Sequence, residues 1–202
     1  DQEVSSAGSL TSFDSNGFTV STNNSVNGDS DDMVAWCWKA ASSDSTNTEG
    51  TIASTVRANQ DAGFSIVNFT GSGSTDTVGT GLTSPVELIL AKKINSNTDW
   101  LVYSSATGAT NKLNLNTTIA STSTGVWGNT APASTVFTAG STFSTDTIAY
   151  CFHSVDGYQR VGSYTGNGTS SKRVYTDSNG DGTGTGAFQP RFVMIKNTDT
   201  AY

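Results

Sequence analysis

Histidine is nearly missing from this chain: His153 is the only one in 202 residues, beside two cysteines, three prolines and ten lysines and arginines. A single imidazole excludes a multi-histidine metal site, and any Ser-His-Asp triad would have to be built around it. No G-x-S-x-G elbow accompanies it, and its place just after an apolar run reads as a strand end secured by a hydrogen bond. The few cations are scattered and the net charge is −7. Binding through nucleic-acid phosphates, which needs a clustered basic face, is therefore excluded. No apolar run approaches the roughly 20 residues that span a bilayer, so no membrane insertion is expected. The first residues, Asp1-Gln2-Glu3-Val4, show neither the basic start nor the apolar middle of a signal peptide, and no initiator Met. They read as the start of a processed chain or of a segment of a longer one.

What the chain does have is a repeat. The densest apolar run, Val34-Ala35-Trp36-Cys37-Trp38, recurs as Ile148-Ala149-Tyr150-Cys151-Phe152. Each copy follows a polar turn segment and, before that, a Phe-Thr pair, Phe18-Thr19 or Phe137-Thr138. Alternation puts Val34, Trp36 and Trp38 on one face of a strand and Ala35 and Cys37 on the other, and both sets are apolar. The run is thus expected to be a core strand buried on both faces. Its Cys and its counterpart Cys151 occupy equivalent places in two modules, too far apart for a disulfide, and read as two buried free thiols.

Short strands separated by Gly, Asn and Ser turns indicate an all-β fold. Strands are expected over 17–20, 51–56, 63–69, 86–92, 100–103 and 112–116, with helix limited to a turn or two near 118–122. Residues 158–168 mirror 63–73, and 190–197 mirror 85–92. The natural module therefore runs over 63–153 and is present once complete. Residues 1–40 read as the rear half of a second module, 41–62 as a connector, and 158–202 as a front half that completes 1–40 within the chain or between subunits. The fold class is antiparallel β-sandwich or jelly-roll-like modules in tandem repeat, with little helix.

Five segments carry a family resemblance: Gly17-Phe18-Thr19-Val20, residues 34–40, Ala62-Gly63-Phe64-Ser65-Ile66-Val67, residues 129–137, and Gly162-Ser163-Tyr164-Thr165-Gly166-Asn167-Gly168. Together they resemble a repeated domain of unknown function found in virion proteins of marine tailed bacteriophages that infect cyanobacteria and abundant marine heterotrophs. The likeness covers nearly all of the chain from Gly17 onward. It implies a virion-surface or extracellular location, in a tail fibre or spike. It also implies partners in a homo-oligomer or among other virion proteins, and attachment to host surface glycans. It carries over no catalytic residue. The chain departs from the pattern at Thr80-Gly81-Leu82, where such modules have His-Gly-Leu, and in an elaborated loop over 172–184.

Asp177-Ser178-Asn179-Gly180-Asp181-Gly182 matches the first half of a calcium loop, in which Asp177, Asn179 and Asp181 would converge on Ca²⁺. The closing acid is missing, since Phe188 stands at the twelfth position, and the same residues also suit a solvated turn. Asp146 and Asp156 are the carboxylates from which a glycosidase pair would be made, as a polysaccharide depolymerase requires. Trp127, Tyr103 and Tyr158 are candidates for stacking on sugar rings, as in a carbohydrate-binding module, while Trp36, Trp38 and Trp100 read as core. The function expected first is a non-enzymatic structural part of a surface fibre, and the alternative is the lectin-like module.

Overall fold

The computed structural model describes residues 8–94 and 96–200. The first paired elements are β1 (Leu10–Asp14) and β2 (Gly17–Val20), an antiparallel hairpin in which Asp14 faces Gly17 across the Ser15-Asn16 turn. One helical turn follows, α1 (Asn24–Asn27), capped by the Asn23 side chain, which accepts from the Ser25 N–H at 2.9 Å. It is the only helix among the described residues. No helix forms near 118–122, where no apolar stripe exists to bury one.

Ten further strands follow: β3 (Ser45–Asn47), β4 (Ser54–Asn59), β5 (Phe64–Thr70), β6 (Asp76–Gly79), β7 (Leu88–Lys93), β8 (Leu101–Ser104), β9 (Asn111–Asn114), β10 (Thr122–Ser123), β11 (Val136–Ala139) and β12 (Asp146–Phe152). Eight of them form one antiparallel sheet in the order β10-β9-β8-β7-β12-β5-β4-β3, while β11 and β6 pair separately. The fold is therefore all-β and antiparallel. β12, the last of these strands in sequence, lies inside the large sheet, paired with β5 from Asp146↔Thr70 to Phe152↔Phe64 and with β7 from Thr147↔Lys93 to Phe152↔Leu88.

The strand registers sort the side chains onto two faces. The inner face carries Val56, Val67, Phe69, Ile89, Ala91, Leu101, Tyr103, Ala149 and Cys151, all buried. Val78, Phe137 and Ala139 of the β6–β11 pair close over it, with Trp127 and Phe143 from loops, in one continuous core. Aromatic rings join the layers: Phe69 meets Phe137 and Phe143 edge-on, with centroids 5.8 and 5.7 Å away. Gly71 makes the last approach possible, because a Cβ there would lie 2.3 Å from the Phe143 carbonyl oxygen. The outer face carries Phe64, Ile66, Leu88, Leu90, Ile148, Tyr150 and Phe152, of which Ile66, Leu88, Leu90, Ile148 and Tyr150 are only half-buried.

Three expectations differ from this architecture. Residues 41–62 are more than a connector, since they supply β3 and β4. Val56 of β4 packs beside Val67, and the polar Ser45-Thr46-Asn47 sits at the sheet edge, where solvent accepts it. The run 34–38 forms no strand: Val34 is 81% and Trp36 69% exposed. Its relatives of the second copy, 158–168 and 190–197, also lie outside the strands of the described residues. Alternation identified a run able to serve as a core strand, but such a strand needs a neighbour on each edge and a cover on each face, and no partner strand reaches it here.

Candidate functional site

The aromatic residues exchange roles relative to the sequence reading. Trp127 is 1% exposed and Tyr103 3%, so neither offers a ring face to a sugar. They meet edge to face at 5.9 Å, and Trp127 also packs on Phe143 at 5.5 Å. Burial pushes the Tyr103 phenol up from its ordinary value, and the negative Glu87 adds to the effect. The glycines flanking Trp127, which suggested an open loop, instead let the chain turn tightly over the core: Gly128 has φ +57°, and a Cβ on it would meet the Thr138 methyl at 2.4 Å. Of the three sugar-stacking candidates, only Tyr158 is exposed, in the turn following β12, where its N–H donates to the Val155 carbonyl.

The Asp177 loop is closed by its own hydrogen bonds. One Asp177 oxygen accepts from the Gly182 N–H at 3.2 Å and the other from the Gly184 N–H at 2.5 Å, while its carbonyl accepts from Arg160 at 2.6 Å. Burial pushes this carboxyl up, but the backbone N–H donors outweigh it and hold the group below its ordinary value. The Asn179 amide donates to the Thr183 hydroxyl, and Asp181 accepts from the Thr183 N–H and hydroxyl. These hydrogen bonds hold the turn in shape. Among the described residues no group of three or more His, Cys, Asp and Glu side chains is placed to hold a metal.

Asp146 and Asp156 do not come together. Asp146 starts β12 and accepts from the Thr70 hydroxyl, whereas Asp156 lies beyond the other end of that strand. At roughly 3.3 Å per residue, the strand between them is about 20 Å long, well outside the spacing of a glycosidase pair. His153 follows β12, with Nδ1 2.8 Å from the Ser154 carbonyl oxygen; its own carbonyl accepts from Gln159 at 2.6 Å. It ends the strand, as its position suggested. Among the described residues, an open groove of about 370 Å³ is lined by Ser54, Asn68, Thr70 and Asp146 among others, and another of about 330 Å³ by Lys93, Asp99, Leu101 and Thr142 among others.

The most distinctive surface is one the sequence reading took for core. At the end of the outer face, Phe64 and Phe152 lie 4.9 Å apart, and Trp38 covers both at 6.4 and 6.3 Å. Phe192 stands edge-on to Trp38 at 6.3 Å and contacts Trp36 at the same distance. Exposure rises outward along this cluster, from 2% at Phe64 to 47% at Trp38, 55% at Phe192 and 69% at Trp36. Met33, Val34, Val193, Met194 and Ile195, close to these rings in sequence, are exposed apolar side chains as well. Apolar rings in mutual contact differ from the singly scattered apolar residues that are ordinary on a surface. The signal that could have found it is the two-sided apolar character of both runs.

No curated protein and no solved structure matches the chain. A family profile described as a domain of unknown function, DUF7483, matches residues 1–202 in full, and the protein is accordingly a member of the DUF7483 family.

Proposed function

We propose that this protein is a non-enzymatic structural component of a phage virion surface fibre or spike, or of a similar extracellular assembly, with a part in host attachment. The observation that carries this reading is the exposed seam of Trp36, Trp38, Phe192 and their neighbours. Its contiguous apolar area is best accounted for by a protein partner. A solvent-facing exterior rich in Ser, Thr and Asn suits a solvated outer surface, and the bacteriophage resemblance supplies the setting. In this reading residues 1–40 and 158–202, of which 1–7 and 201–202 lie outside the described residues, are parts of a second sandwich-like module that is completed on assembly. Light scattering over a range of protein concentrations tests it. A defined oligomer is expected, and a monomer at every concentration would count against it.

The second reading is a carbohydrate-binding module. It is favoured by the exposed rings of Trp36 and Tyr158, which could each stack on a pyranose face. A glycan array separates the two. Binding abolished by Trp36→Ala or Tyr158→Ala in a protein that still assembles would establish the second, whereas an empty array leaves the first.

A further inference from the structure

The chain holds Asn-Gly pairs at Asn16, Asn27, Asn167 and Asn179. Such a pair is a covalent weak point. Only Cβ, Cα and the carbonyl carbon separate the asparagine Cγ from the next backbone nitrogen, and glycine has no side chain to keep the two apart. Attack of that nitrogen on Cγ closes a succinimide ring and expels the side-chain amide as ammonia. A folded chain permits this where the glycine N–H is free of an acceptor and donors stand ready for the oxyanion that develops on the asparagine Oδ1.

Three of the pairs are held back. The Gly180 N–H donates to the Asp177 carbonyl at 3.1 Å, and the Asn179 amide is tied to the Thr183 hydroxyl. Asn27 ends α1, with its N–H bonded to the Asn23 carbonyl and its Nδ2 to the Ser21 carbonyl at 3.0 Å. Gly17 sits in the β1–β2 register opposite Asp14, so attack on Asn16 must open the hairpin. The side-chain oxygens of these three accept no hydrogen bond among the described residues.

Asn167 meets both conditions. The Gly168 N–H makes no hydrogen bond among the described residues, and Gly168 is exposed, with φ +68°. Asn167 Oδ1 accepts from the Thr169 N–H at 3.2 Å and from the Thr169 hydroxyl at 2.9 Å. A backbone N–H can only donate, so the side-chain atom turned toward it is the oxygen. Asn23, Asn47 and Asn197 form the same turn with the second residue after each, but Asn24, Thr48 and Thr198 follow them, and those side chains crowd the attack.

We infer that Asn167 is a self-modifying site, at which water converts the side-chain amide to a carboxylate without an enzyme. The Gly168 nitrogen gives its proton to hydroxide and bonds to Asn167 Cγ, while negative charge collects on Oδ1 between the two Thr169 donors. The Cγ–Nδ2 bond then breaks, and the nitrogen takes a proton from water and leaves as ammonia. A further water opens the ring at one carbonyl or the other, giving aspartate or isoaspartate. The chain thereby gains one negative charge beyond its −7. An aspartate formed there keeps both Thr169 donors, now as charge-assisted bonds, so the turn survives the change. No partner is needed, and the inference stands apart from the assembly reading.

The test holds the wild-type protein at about pH 8 and follows all four asparagines by peptide mapping and mass spectrometry. Asn167 should convert at least about tenfold faster than Asn16, Asn27 and Asn179, and in urea, where the loop is lost, that lead should vanish. Thr169→Val, at an exposed position, removes one donor. It should slow Asn167 by about tenfold, less than a buried oxyanion site would lose because this loop is wet. Thr169→Ser retains the hydroxyl and should keep the wild-type rate. Conversion led by another Asn-Gly pair, a lead that persists in urea, or an unslowed Thr169→Val overturns the inference.

Discussion

Cys151 and Ser65 are direct cross-strand partners on β12 and β5, and both are fully buried. Burial pushes the Cys151 thiol up to about 12, with the Ser65 hydroxyl offsetting only part of the effect. Cys37, its sequence counterpart, is exposed. Equivalent places in a repeat thus hold thiols of opposite character. At pH 8 a thiol-reactive chromogen should titrate one cysteine per chain rapidly. The second should react about a thousandfold more slowly, or only after denaturation, because the thiolate is the nucleophile. Two equally fast thiols in the native protein would show that β12 is not packed as described.

Trp127→Ala should destabilise the protein by about 3–5 kcal/mol, since it removes the ring that Tyr103, Phe137 and Phe143 share. Trp127→Phe should cost less. It keeps most of the volume and removes an indole N–H that is buried without a hydrogen-bond partner among the described residues. Urea denaturation measures both. An alanine variant of unchanged midpoint would return Trp127 to the list of surface binding residues.

The Asp177 loop should respond to acid. Its folded carboxyl titrates below the ordinary value of 3.8, so the stabilisation is fully present above about pH 4 and is lost as pH falls through the folded value. Asp177→Asn should lower the melting temperature at pH 7 and flatten its fall between pH 4 and 2. Hydrogen exchange at the Gly182 and Gly184 amides should quicken in the same variant, because those N–H groups lose their acceptor. Melting curves of wild type and variant that stay parallel down to pH 2 would contradict this account.

Gly71→Ala should destabilise by about 1–3 kcal/mol, because the added methyl must displace a backbone carbonyl rather than a side chain. The same change at Gly17, where nothing lies within 4 Å of the added Cβ, serves as the control and should be nearly neutral. Thermal unfolding of the two variants decides it.

The sequence made strand character legible wherever alternation met a turn signal: the predicted strands over 63–69, 86–92 and 100–103 lie within two residues of β5, β7 and β8. It concealed β3 because an edge strand can be wholly polar, as Ser45-Thr46-Asn47 is. It also could not say which aromatic rings are covered. Trp36 and Tyr150 occupy the same repeat position, yet Tyr150 has strand neighbours on both sides and Trp36 has none. Burial is a property of the partner strands, and a run of five residues does not encode whether they arrive. For the same reason Trp127, flanked by glycines, resembled an open loop although Tyr103, Phe137 and Phe143 enclose it.

The position of β12 sets a timetable for synthesis. Asp146 bonds to Thr70 across 76 residues, and β7 gains its second neighbour only when that final strand emerges. Until then a growing chain holds β5 and β7 with bare inner edges, a slow, long-range closure of the type that invites mispairing. The earlier run at 34–38 has nearly the same pattern as β12 and leaves the ribosome long before it.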